Sequence, residues 1–288
     1  MSSTQQIRGR IRSVRNTRQI TKAMQMVSAS KLHRMQAAAQ ATQAYSRYAR
    51  QILTYIRQQN EVNDNVFYQE RSVRKRLLLV VTSDRGLAGA YNSNVLKRYI
   101  AELKADEAAG VANATIVFGR QGAAFVARLK DTDVAGAYTN LPDQPQIADL
   151  SSAVQGAIDQ FVQGDVDAVD VIHTEFKNMV TQSVAIRRLL PAGFTDEQPS
   201  HAITAAEFEP SVDAVLSSTT TRLVEAQVLQ AVLESNVSEQ AMRMLAMKSA
   251  SDNASDLLDA YTLELNNARQ AAITQELAEI SGGVEAMK

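Results

Sequence analysis

Small and apolar residues recur every seven positions along both ends of this chain. In the opening stretch Ile7, Val14, Thr21, Ser28, Met35, Thr42, Ala49 and Ile56 hold the period. Thr17, Met24, Lys31, Ala38, Tyr45 and Ile52 repeat it three residues further on. Such a paired repeat is the seam of a helix that winds about a partner. No Pro interrupts residues 3–58 and Gly9 is the only Gly there, so one unbroken helix of roughly 80 Å is predicted. The closing stretch repeats the pattern through Leu216, Leu223, Gln230, Val237, Met244, Ser251, Leu258, Leu265 and Ala272. Its second set is Thr219, Ala226, Leu233, Gln240, Met247, Ala254, Tyr261 and Ala268. Pro210 marks its expected start and Gly282-Gly283 its expected stop. The two seams predict a long antiparallel two-helix coiled coil. Many seam residues are Ala, Ser or Thr. They let two backbones approach closely, but they bury little apolar surface, so the pair needs support from outside.

The middle changes period. Leu77-Leu78-Leu79-Val80-Val81 is a continuous apolar run after Arg74-Lys75-Arg76, as expected of a strand buried on both faces. Asn92-Ser93 is placed to cap a helix over about 94–109, closed by Gly110. A strand over 115–118, a helix over 119–129, a helix over 147–162 and strands over 166–176 and 179–190 follow. Alternating strands and helices predict a mostly parallel sheet covered by helices. The organisation expected is an N-terminal coiled-coil helix over 1–60, a central α/β domain over 76–200, and a C-terminal coiled-coil helix over 211–288 that pairs with the first.

The closing helix outruns the opening one by roughly 20 Å if the two pair from the α/β segment outward. That overhang carries Ile273, Leu277 and Ile280 with nothing of the same chain left to cover them. An uncovered apolar stripe reads as an interface, here a tip enclosed by other subunits, or else as a frayed end with scattered apolar residues. Ile20, Val27 and Leu245, beside the seam, point to the enclosed tip.

Charge sharpens the contrast between the ends. The net charge is −1, yet the first sixty residues hold eleven Arg or Lys and no Asp or Glu. A basic arm implies an anionic partner, either nucleic acid or an acidic protein surface. The cations circle the helix and aromatics are few, which argues against base stacking. The absence of cysteine excludes disulfides and thiol chemistry. No stretch has the roughly 20 apolar residues of a membrane span, and the start lacks the apolar core of a secretory signal.

Candidate chemistry is sparse. Gly86-Leu87-Ala88-Gly89-Ala90 lies where a dinucleotide fingerprint would, but lacks its spacing and the Lys-Ser/Thr of a phosphate loop. A tight turn is the simpler reading. His33, His173 and His201 are dispersed, so neither a metal site nor a bound cofactor is expected. Asp84 and Arg85 sit at the end of the first strand, where α/β folds bind ligands, but also where an ion pair braces a turn. No catalytic residue is assigned.

Several segments resemble the gamma subunit of bacterial F-type ATP synthases. Ile20-Thr21-Lys22-Ala23-Met24-Gln25-Met26-Val27-Ser28-Ala29-Ser30-Lys31-Leu32 is similar to that family's amino-terminal helix, and Ser83-Asp84-Arg85-Gly86-Leu87 to its central motif. Ser238-Glu239-Gln240-Ala241-Met242-Arg243-Met244 and residues 268–277, from Ala268-Arg269-Gln270 to Gln275-Glu276-Leu277, resemble its carboxyl-terminal helix. The resemblance implies a non-catalytic rotor shaft with a Rossmann-like head. It implies partners in an alpha/beta hexamer, an epsilon subunit and a c-subunit ring, at the cytoplasmic face of a bacterial plasma membrane. It places Met24 and Arg243 near acidic loops of the beta subunits, and Arg269, Gln270, Thr274 and Glu276 at a beta-subunit catch loop or in support of coupling. Glu207, Phe208 and Glu209 correspond to a foot facing the c ring. The competing readings are a basic coiled-coil protein associated with nucleic acid and a nucleotide-dependent enzyme.

Overall fold

The computed structural model describes residues 4–59, 65–130, 132–193 and 211–286. Along the chain run α1 (Thr4–Gln59), β1 (Lys75–Val81), α2 (Tyr91–Ala108), β2 (Ala112–Phe118), α3 (Arg120–Val126), β3 (Asp133–Tyr138), α4 (Ile147–Gln163), β4 (Ala168–Phe176), β5 (Gln182–Leu190) and α5 (Val212–Ala286). The chain forms two compact units, one of residues 29–242 and one of residues 1–28 with 243–288.

The 29–242 unit is built on a five-stranded sheet ordered β3-β2-β1-β4-β5. The first four strands are parallel, and β5 returns antiparallel to β4 through the turn at Asn178. Leu77 to Val81 are essentially inaccessible, as a central strand flanked on both sides requires. On one face Leu78, Val80, Val117 and Ile172 pack with Val95 and Tyr99 of α2 and Val126 of α3. Burying each such side chain contributes about 1.5–3 kcal/mol. α4 packs on β4 through the stripe Leu150, Ala153, Val154, Ala157, Ile158 and Phe161. Its ends follow local rules, with a capping box between Gln146 and Asp149 and a left-handed Gly164 after the last turn.

The same unit holds residues 29–59 of α1 and 212–242 of α5. Lys31 and Asn236 both reach Asp143, and Arg50 lines one cavity with Leu223, Val224, Gln227 and Gln230. Residue numbers rise along α1 as they fall along α5, so the segments run antiparallel. Asn65 donates to Asp213 and Ser217, and the Tyr68 hydroxyl meets Thr220 Oγ1 at 2.7 Å, fixing the chain beyond α1 against the start of α5.

Four expectations change. The strand β3 is not anticipated. Asn92 does not cap α2, which begins at Tyr91; its side chain accepts the Ser83 N–H at 3.0 Å and ties the helix to the end of β1. Gly282-Gly283 does not end α5, which continues to Ala286; glycine costs a helix about 1 kcal/mol but does not forbid it. Finally, in the 29–242 unit the second seam set of α1 is displaced. Leu32, Ala39 and Leu53 are buried, whereas the expected Lys31, Ala38 and Ile52 are half-buried. A helix facing more than one partner buries a wider stripe than a two-stranded seam.

In the other unit the opening and closing segments pair through one narrow stripe. Ile7, Thr21 and Ser28 are buried from the first, and Met247, Ser251, Ala254 and Leu258 from the second. The Arg10 guanidinium lies 5.9 Å from the centre of the Tyr261 ring. Beyond Ala268 every described side chain up to Ser281 is exposed. The predicted overhang is therefore present, about 13 residues or 20 Å of uncovered helix.

Candidate partner-binding surface

The unit of residues 1–28 and 243–288 presents two kinds of surface. Arg8, Arg10, Arg12, Arg15, Arg18 and Lys22 are all exposed on α1. Exposed apolar side chains accompany them: Ile20, Met26 and Val27 on α1, and Leu257, Leu263, Ile273, Leu277 and Ile280 on α5. Ile273, Leu277 and Ile280 show 46%, 60% and 64% of their surface on a helix with no buried neighbour at that level. Contiguous apolar surface left in this way marks a site meant to be covered.

The residues singled out in the sequence fall at different depths on this unit. Arg269, Gln270, Thr274 and Glu276 are exposed, with the Thr274 hydroxyl donating to the Gln270 carbonyl at 2.9 Å one turn back. Met24 is half-buried and Arg243 is buried. Glu207, Phe208 and Glu209 lie outside the described residues, as do His201 and Pro210. Leu257 and Leu263 escaped the sequence reading because they fall outside both seven-residue sets. Only their exposure in the structure identifies them.

In the 29–242 unit several charged groups hold the fold together. Asp84 accepts the backbone N–H groups of Arg120 and Asn140, each at 3.0 Å, joining the ends of β1, β2 and β3. Of the readings open for Asp84, the brace is therefore the one seen. Gly89 takes a left-handed backbone (φ 56°) in the turn that follows, and so does Leu87 (φ 63°), whereas Gly86 does not. Arg76 reaches Asp170, Glu102 and Asp106, and Arg188 also bonds Asp170. Burial works against the Arg76 charge, but the three carboxylates outweigh it and raise its pKa further. Such a paired and saturated cluster is structural rather than reactive.

His173 is fully buried, with Nε2 3.6 Å from Glu234, and His33 is exposed. Burial pushes the Glu234 carboxyl up, yet the His173 ring, the Gln230 amide and Arg187 together hold it below the ordinary value. Among the described residues no group of three or more His, Asp or Glu could hold a metal ion. None of the described helices is long and apolar enough to cross a membrane.

Comparison with known proteins agrees with this architecture. The family model described as ATP synthase matches residues 3–287, so the chain belongs to that family. The ATP synthase gamma chain of Xanthomonas oryzae pv. oryzae is 36% identical over 288 residues, covering all of both chains. That of Stenotrophomonas maltophilia is 37% identical over the same span. Among solved structures, a chain of the Euglena gracilis mitochondrial ATP synthase (OSCP/F1/c-ring, rotational state 3) aligns with a TM-score of 0.68 at 18% identity, covering 99% of this chain and 94% of that one. A chain of the Tetrahymena thermophila mitochondrial ATP synthase central stalk and c ring aligns with a TM-score of 0.62 at 24% identity, covering 81% and 99%. These structures share the fold.

Proposed function

We propose that this chain is the central rotor shaft of a proton-translocating F-type ATP synthase, carrying rotation of a membrane c ring to a catalytic alpha/beta hexamer. The observation that carries this reading is the uncovered end of α5, residues 269–281, exposed throughout on a chain that matches gamma chains over its full length. A helix left bare in this way requires an enclosing partner, and a hexamer with a central opening supplies one. The chain itself is non-catalytic. Its partners are the alpha and beta subunits, an epsilon subunit and the c ring, through which it associates peripherally with the cytoplasmic face of a bacterial plasma membrane.

The mechanism follows from asymmetry. A two-helix shaft has no threefold axis, so three identical catalytic sites meet three different faces at any instant. Each face biases its neighbour between open and closed conformations by differential contact. Met24 and the exposed Arg269, Gln270, Thr274 and Glu276 are the contacts of this surface, with Ile273, Leu277 and Ile280 in the sleeve. Arg243 belongs to the same contact set, with most of its side chain covered within the chain.

Affinity purification of the tagged chain tests the reading. Two large nucleotide-binding subunits in threefold excess are expected to co-elute. Salt-sensitive retention of nucleic acid in their place would overturn it. Within the complex, Met24→Lys adds a cation beside acidic beta loops and lowers ATP made per proton; an unchanged yield would remove Met24 from the contact set.

A further inference from the structure

One segment of the 29–242 unit spans from the sheet to both long helices. Residues 139–146, between β3 and α4, form a strap whose root is fixed at Asp84. There Asp84 accepts the Asn140 N–H at 3.0 Å, and Arg120 Nη2 donates to Asn140 Oδ1 at 2.6 Å. Asn140 adopts a left-handed backbone (φ 61°), and Pro142 and Pro145 restrict the torsions that follow. At its outer end Lys31 Nζ lies 2.6 Å from Asp143 Oδ2, and Gln144 Nε2 donates to the Arg34 carbonyl at 3.2 Å. The Asn236 amide of α5 donates to the Asp143 carbonyl at 3.4 Å. At the same level of α5, Ser235 Oγ accepts the Thr174 N–H at 3.0 Å, and Ser238 Oγ donates to the Thr174 carbonyl at 3.3 Å.

The sheet thus grips α5 from β4, and it grips α1 and α5 together from the strap. Holding one helix of a pair loads the other only through the seam between them; holding both makes the pair and the sheet turn as one body. We propose that the strap, rooted at Asp84 and closed by the Lys31–Asp143 pair, is a torsional coupling between the sheet and the helix pair, with Asp84, Asp143 and Lys31 as its positioning residues. This gives a further role to the motif Ser83-Asp84-Arg85-Gly86-Leu87, whose carboxylate joins the ends of β1, β2 and β3. The coupling rests on the shaft reading above, because only a chain under torque loads such a strap.

The ion pair is partly exposed, with side-chain exposures of 25% and 54%, so it contributes little to folding stability. Mechanical and thermodynamic effects therefore separate. The test uses the assembled complex, with rotor stiffness read from the angular fluctuations of a probe fixed to the shaft. Asp143→Lys and Lys31→Asp are each expected to lower the stiffness by up to about twofold, because the ion pair is one of two polar contacts between the strap and α1. Their thermal midpoints and the rate of ATP hydrolysis stay unchanged. The double exchange, K31D with D143K, restores the stiffness. Replacing both Pro142 and Pro145 by Gly softens the rotor without touching the ion pair. Native stiffness in the single variants, or a double exchange no stiffer than either single, overturns the coupling. A native complex that does not rotate overturns the shaft reading instead, so the two failures are distinct.

Discussion

Along α5 the surroundings of the helix change between the two units. From Val228 to Leu233 every side chain is buried, because the helix in the 29–242 unit is covered on all sides. From Ser251 to Leu258 only Ser251, Ala254 and Leu258 are buried, a single stripe facing α1. From Arg269 to Ser281 every side chain is exposed. The same helix is a core element in one unit and a surface in the other. A helix buried all round takes its stability from its own chain, whereas one buried along a small-residue stripe is left to be completed by others. The 29–242 unit is built to hold itself together, and the other unit to be held.

The largest expected effect breaks the self-sufficient side. Gly119 has φ 93°, and an added Cβ would lie 2.3 Å from the Thr82 carbonyl oxygen. Gly119→Ala forces β1 and β2 apart at their ends and costs about 3–4 kcal/mol, read from the urea midpoint. Next comes Asp167, whose carboxylate accepts the backbone N–H groups of Arg74 and Lys75 at 2.8 and 3.1 Å. The Arg74 N–H first, opposed by burial and joined by the Lys75 N–H, holds this carboxyl below its usual range. A lowered folded value means that the carboxylate stabilises above the ordinary range and that this contribution is lost as pH falls through the lowered value. Asp167→Asn is expected to cost about 2 kcal/mol at neutral pH, with the difference from the native chain closing in acid.

Smaller effects belong to the partner-dependent unit. Ala254→Leu overfills the stripe and costs about 1–2 kcal/mol, seen as faster amide exchange in residues 243–268 with unchanged exchange in the sheet. Equal loss of protection in both units would show that the two do not differ in this way. Leu277→Gln should change stability by less than about 0.5 kcal/mol, yet weaken retention of the enclosing subunits in a pull-down. Undiminished retention would leave the bare tip without a role.

Elements with a strong local period were legible before the structure. β1 announced itself through five consecutive apolar residues, and the helix expected over 147–162 is α4. β3 did not, because Asp133-Val134-Ala135-Gly136-Ala137-Tyr138 has neither alternation nor a strong strand former at its centre. It is a strand because β2 offers it an edge and because the Phe118 and Tyr138 rings lie 5.7 Å apart. Asn92 was misread for a related reason: its position suited a cap, but its partner Ser83 is reachable only once β1 and α2 pack. Of the candidate surface, the bare tip was legible because helix lengths can be counted. The depth of Arg243 was not.

The sequence by itself determined both long helices, the central α/β alternation and the apolar overhang. Each depends on interactions between residues a few positions apart or on chain length. Only the tertiary structure decided that Asp84 holds Asn140, that Asp143 meets Lys31, and that Leu32 rather than Lys31 is the buried neighbour in α1. These pairings join residues far apart in the chain. A hydrogen bond or ion pair acts over a few ångströms, so its partner is chosen by topology and packing, which no local pattern encodes.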